Sequence, residues 1–157
     1  MKLLMRSIIL PISILIFIFS CSYERFNSPN QKKFHIIDVG VEGEKRSAFL
    51  VRKKINRFSN IDSKNKIKLD ISLNSNKEIE EKSIQNKVTK YKLFMTAQVE
   101  ITDLASGKKY KRTYKASQSY NVEDRYSNTV NNSKKANNNL IKIITEEILD
   151  QLKIFYN

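Results

Sequence analysis

The chain has one cysteine, one histidine and three glycines, and acid is scarce: 16 Asp and Glu stand against 29 Lys and Arg. Each shortage excludes something. A lone cysteine permits no disulfide within the chain, no redox pair and no cysteine zinc cluster. The three glycines are scattered and form no phosphate-binding loop. The single histidine, His35, sits in a short strand candidate with no partner motif, so neither a histidine metal set nor a Ser/His/Asp order exists. Catalysis would have almost nothing to work with. The expectation is a non-enzyme that needs no cofactor and no metal.

Long apolar runs are missing as well. The one greasy stretch, Ser7 to Phe19, follows Lys2 and Arg6. It is too short for a membrane-spanning helix, which takes about 20 residues, and it has the layout of an export signal. Ile18-Phe19-Ser20-Cys21 closes it: a branched aliphatic residue, a variable position, a small residue, then the thiol. That is a lipobox, in which the sulfur of Cys21 is alkylated by a diacylglycerol before cleavage in front of it. An ordinary secretory signal and an uncleaved anchor are the alternatives. Residues 1–20 are therefore expected to be a lipoprotein signal peptide, 21–33 a flexible tether after lipidated Cys21, and 34–157 a single domain. Ser22 to Lys33 is polar and holds Pro29, as a tether should.

The shortage of acid leaves a formal net charge of +13. Residues 1–20 carry two positive charges and no negative one, so the exported remainder keeps +11. Such a surplus attracts anionic partners. For an exported chain these are anionic lipid, lipopolysaccharide phosphates or an acidic protein surface, and not nucleic acid.

Periodicity outlines the domain. Phe34 to Val39 is a short strand. Glu44 to Phe58 is helical, with Ala48, Val51, Ile55 and Phe58 at helical spacing. Lys66 to Ser75 alternates, with Ile67, Leu69, Ile71 and Leu73 on one side. Asn76 to Gln85 is polar and charged and is assigned to a loop. Val88 to Thr102 puts Tyr91, Leu93, Met95, Ala97, Val99 and Ile101 on one face. Asp103 to Gly107 is a turn, and Lys108 to Ser119 returns as a strand. From about Ser127 the period becomes helical, with a stripe of Leu140 or Ile141, Ile144, Ile148, Leu152 and Phe155. Glu146, Glu147 and Asp150 lie off that stripe, as the wet face of a helix. The Asn-rich stretch before it leaves the helix start open. This order implies an α+β two-layer sandwich: a mixed four-stranded sheet with two helices packed on one face. Its other face should be polar and mainly positive.

Two groups stand out as contact candidates. Lys108, Lys109, Lys111 and Arg112 follow the turn and could meet phosphates or barrel carboxylates; a solvated hairpin end is the plainer account. Tyr110, Tyr114, Tyr120 and Tyr126 form an aromatic run that could anchor an interface; packing in the core and on the sheet face is the plainer expectation.

The long strand Tyr91–Asp103, the turn at Ser106-Gly107-Lys108, Ser119-Tyr120-Asn121 after the return strand and the closing helix Ile148–Tyr156, together with the lipobox, resemble the LptE family of lipopolysaccharide-assembly lipoproteins. The likeness covers 34–157 by element order and 88–156 by motif. It implies a plug subunit of the outer-membrane β-barrel (LptD-type) lipopolysaccharide translocon. That subunit is lipid-anchored at Cys21, faces the periplasm, and has lipopolysaccharide and the barrel as partners. A pilotin-like assembly lipoprotein for another channel, or a periplasmic lipoprotein that binds anionic glycolipid, are the competing classes.

Overall fold

The computed structural model describes residues 34–156; Cys21, the signal and the tether lie outside them. The elements run β1 (His35–Glu42), α1 (Lys45–Asn56), β2 (Lys66–Lys82), β3 (Val88–Asp103), β4 (Lys109–Asn121) and α2 (Tyr126–Phe155). The sheet order is β1-β2-β3-β4, with β1 parallel to β2 and the other pairs antiparallel. A parallel pair needs a crossover, and α1 supplies it. Both helices cover one face of the mixed sheet, so the molecule is the expected two-layer α+β sandwich.

Strand alternation builds the core. Ile67, Leu69, Ile71 and Leu73 of β2 and Met95, Ala97, Val99 and Ile101 of β3 are all buried, beneath Val51 and Ile55 of α1 and Leu140, Ile144, Ile148 and Leu152 of α2. In β1 the alternation breaks. A bulge between Ile36 and Asp38 adds one residue, so Ile36 and Val39 both point inward and Ile37 is left outside. The strand then runs on through Gly40 to Glu42, beyond the expected end at Val39.

Two glycines are dictated by backbone conformation, and one of them also by space. Gly43 turns the chain from β1 into α1 at φ 131°, and a Cβ there would lie 2.7 Å from the Leu73 carbonyl oxygen. Gly107 closes the β3–β4 turn at φ 68°. Both sit where a side chain costs backbone strain.

The segment Asn76 to Gln85, expected as a loop, is a strand as far as Lys82. It pairs with β3 through Lys77–Leu93, Glu78–Lys92 and Ile79–Tyr91. Lys90 meets Glu81 at 2.9 Å across the pair. These residues are exposed on both faces, so no apolar alternation marks them as a strand. The turn at the tip uses Asn86 at φ 60°, a conformation Asn tolerates, and it leaves Ile84 fully exposed. β1 covers β2 only along Lys66–Ser72, so among the described residues no strand lies beside the outer edge of Leu73–Lys82.

Helix α2 begins at Tyr126, and the Asn-rich stretch is its first half. Tertiary ties offset its poor propensity. Ala136 is buried, Asn132 Nδ2 donates to the Asn121 carbonyl at 3.3 Å, and Asn137 Nδ2 donates to Ser47 Oγ of α1 at 3.1 Å. Among the described residues, no helix is long and apolar enough to cross a membrane.

Candidate functional site

Both helices lie on one face of the sheet, and none of the described residues covers the opposite face. A concavity of about 420 Å³ crosses all four strands there, lined by Gly40 and Glu42, Asp70 and Ser72, Gln98 and Glu100, and Lys111 and Thr113. Gly40 helps to shape it: a Cβ would come within 2.7 Å of Asp70 Oδ1.

This face carries both signs of charge, which corrects the expectation of a mainly positive one. Lys68 Nζ lies 3.5 Å from Asp38 and 3.6 Å from Asp70. Lys109 Nζ donates to Glu100 Oε1 at 2.7 Å, and Lys111 Nζ lies 3.3 Å from Glu100 Oε2. The hydrogen bonds from Lys109 and Lys111 hold the Glu100 carboxyl below its usual range, and the same bond raises Lys109. Cross-strand register brings the three together, since Glu100 faces Lys111 and Thr102 faces Lys109.

The four cations singled out after the turn do not form one patch. Lys109 and Lys111 share the outer face and one carboxylate. Lys108 stands exposed in the turn. Arg112 pairs with buried Val99, which puts it on the helix side of the sheet, where its charge acts on Tyr114. Strand alternation forces the division, because neighbouring residues face opposite ways.

Asp103 organises the turn itself. Its Oδ1 accepts from Ala105 N at 2.8 Å and Ser106 N at 3.1 Å, and the Ser106 bond is the main reason its carboxyl is held low. Its Oδ2 lies 3.5 Å from the Tyr156 hydroxyl at the end of α2. Burial, and then the Asp103 charge, push that phenol up to about 12.

The tyrosines separate in the same way. Tyr120 is buried against Tyr91 with ring centroids 5.7 Å apart, and Tyr110 packs on Phe155 at 5.3 Å. Tyr114 is half-buried, and burial raises its phenol. Tyr126, expected to pack, is 81% exposed. It borders a second concavity of about 490 Å³ between the far end of the sheet and the start of α2, with Lys77, Tyr91, Tyr120, Val122 and Val130. Lys77 Nζ sits 4.7 Å above the Tyr91 ring there. Reading Asn76 to Gln85 as a loop hid Lys77. Glu100 was missed because its partners lie across the turn, although the turn position alone sets that pairing.

His35 is in β1, and its Nδ1 is buried with no hydrogen-bond partner among the described residues. Glu146, Glu147 and Asp150 are on the exposed side of α2. Among the described residues, no group of three metal-ligating side chains is close enough to hold an ion.

No family model matches the sequence, and no curated protein matches it. Solved structures share its fold. The solution structure of an uncharacterised lipoprotein B from Nitrosomonas europaea superimposes with a TM-score of 0.56 at 15% identity, over 80% of this chain and 88% of that one. A provisionally named lipoprotein from Caulobacter crescentus gives 0.54 at 15%, over 81% and 92%. A minor lipoprotein from Acinetobacter baumannii gives 0.52 at 15%, over 78% and 94%. At these identities the likeness is one of fold.

Proposed function

We propose that the chain is a non-catalytic lipoprotein, anchored through Cys21 to the outer membrane and facing the periplasm. There it plugs the β-barrel lipopolysaccharide translocon and assists its assembly. The observation that carries this reading is the free sheet face: four strands wide, shallowly concave, and made of matched charges. The lumen of a large β-barrel is polar and wet. A plug needs a contact face that is hydrophilic without being a single-sign field, and internally paired charges meet that need. Three solved chains of this fold bear the name lipoprotein, which agrees with the lipobox at Cys21. Lipopolysaccharide phosphates would meet Lys108, which stands exposed in the turn and forms no salt bridge among the described residues, and then Lys109 and Lys111 through charge-assisted hydrogen bonds.

The test is an affinity pull-down of the tagged protein from detergent-solubilised membranes, with mass spectrometry of what accompanies it. One large β-barrel in near-equal amount is expected. A secretin instead would make the chain a pilotin-like lipoprotein. No stoichiometric partner would leave a solitary lipoprotein for anionic glycolipid.

A further inference from the structure

Helix α1 is strongly basic. It contains Lys45, Arg46, Arg52, Lys53 and Lys54, with Arg57 at its C-cap, and no acidic residue. Seven lysines elsewhere pair with carboxylates, but among the described residues none of these six cations forms a salt bridge. At helical spacing, Lys45, Phe49, Arg52, Lys53 and Asn56 share one side of the helix, turned away from buried Ala48, Val51 and Ile55. Phe49 is 62% exposed in the middle of them. A shallow groove of about 500 Å³ runs beside it, lined by Phe49, Arg52, Lys53, Asn56 and Arg57.

We propose that this face of α1 docks on the surface of an anionic phospholipid bilayer. Phe49 enters the headgroup region, and the surrounding cations meet lipid phosphates. An aromatic side chain ringed by Lys and Arg on one side of a helix is the pattern of interfacial binding. Each such cation near an anionic leaflet raises membrane partitioning about fivefold. The path of the chain agrees. Phe34, where the described residues begin, accepts a hydrogen bond through its carbonyl from Asn60 N at 3.0 Å. Ile36 N donates to Ser59 Oγ at 2.9 Å. The domain therefore starts against the segment that leaves α1. Residues 22–33 reach at most about 40 Å, so a lipid on Cys21, as proposed above, would keep the whole domain, α1 included, within that distance of the leaflet. Ile61, 79% exposed, lies in the same segment. The helix layer would face lipid while the opposite sheet face stays free, so the inference does not depend on the translocon reading.

The chain contains no tryptophan, so Phe49→Trp in the full chain creates a unique local probe. In phosphatidylglycerol vesicles its emission should shift to the blue, and in phosphatidylcholine vesicles it should not. The shift should vanish when Lys45, Arg52, Lys53 and Arg57 are all changed to Gln, and also at about 1 M salt, where screening reaches about 3 Å. Circular dichroism checks that the variant stays folded. A Tyr126→Trp chain should show no shift in either vesicle. Equal emission of the Phe49→Trp chain in both vesicles, or a shift that survives the Gln changes, would overturn the proposal. So would a shift that needs an added barrel protein or lipopolysaccharide. None of these outcomes alters what the pull-down recovers.

Discussion

Glu100 Oε1 accepts a hydrogen bond from Lys109 Nζ at 2.7 Å, across the β3–β4 pair. The contact makes the outer sheet face a paired surface and lowers the charge available to ligands after the turn. Glu100→Gln should release Lys109 and Lys111 and strengthen binding of phosphate-bearing glycolipid. Lys109→Glu with Lys111→Glu should weaken it without unfolding the domain. Binding to immobilised lipopolysaccharide, with thermal melts as control, checks both.

The same contact has a pH signature. The folded-state carboxyl of Glu100 is held below its usual 4.5. Its contribution is therefore present above that value and is lost as pH falls through the lowered folded value. The melting temperature of the native chain should fall more steeply on acidification below about pH 4.5 than that of Glu100→Gln. Parallel slopes would show that the pair contributes nothing in solution.

Tyr156 gives the opposite signature. Its phenol is raised from 10.0 to about 12. Above pH 10 the unfolded chain loses this proton while the folded chain keeps it, so stability should drop between pH 10 and about 12. Tyr156→Phe should lack that part of the alkaline loss. Melting curves against pH, native minus variant, measure it.

Gly43 and Gly107 both have positive φ but unequal surroundings. Gly43→Ala brings a Cβ onto the Leu73 carbonyl, whereas Gly107→Ala meets nothing within 4 Å. Gly107→Ala should cost about 1 kcal/mol, the expense of the left-handed backbone alone. Gly43→Ala should cost clearly more, with urea denaturation as the measure.

The start of α1 is tied to the middle of α2 through one hydroxyl. Glu44 accepts from Arg46 N at 3.1 Å and Ser47 N at 2.8 Å, and Ser47 Oγ also binds it while receiving Asn137 Nδ2. Glu44→Ala should cost about 0.5–2 kcal/mol as a lost helix cap. In a double-mutant cycle, Glu44→Ala and Asn137→Ala should couple by at least about 0.5 kcal/mol; additive effects would show the two bonds to be independent.

Cys21→Ala tests the anchor. Labelling with radioactive palmitate should disappear, and the protein should leave the outer-membrane fraction. Continued labelling would place the acyl chain elsewhere.

Local periodicity determined most of this protein. Ile67, Leu69, Ile71 and Leu73, and the stripe from Leu140 to Leu152, are buried where spacing puts them, because an element with one apolar face must turn that face to the core. Cysteine usage and the lipobox likewise needed no structure to be seen. Tertiary structure decided what depends on neighbours distant in sequence. Cross-strand partners, not alternation, extend β2 to Lys82, since a strand wet on both faces has no apolar period. Contacts with Asn121 and Ser47 secure the Asn-rich start of α2. Register set Lys109 and Lys111 on Glu100 and turned Arg112 to the other face. Only packing left the cations of α1 without a salt bridge among the described residues, because charge in a sequence is a sum, whereas charge on a surface depends on which opposite charge lies within a few ångströms.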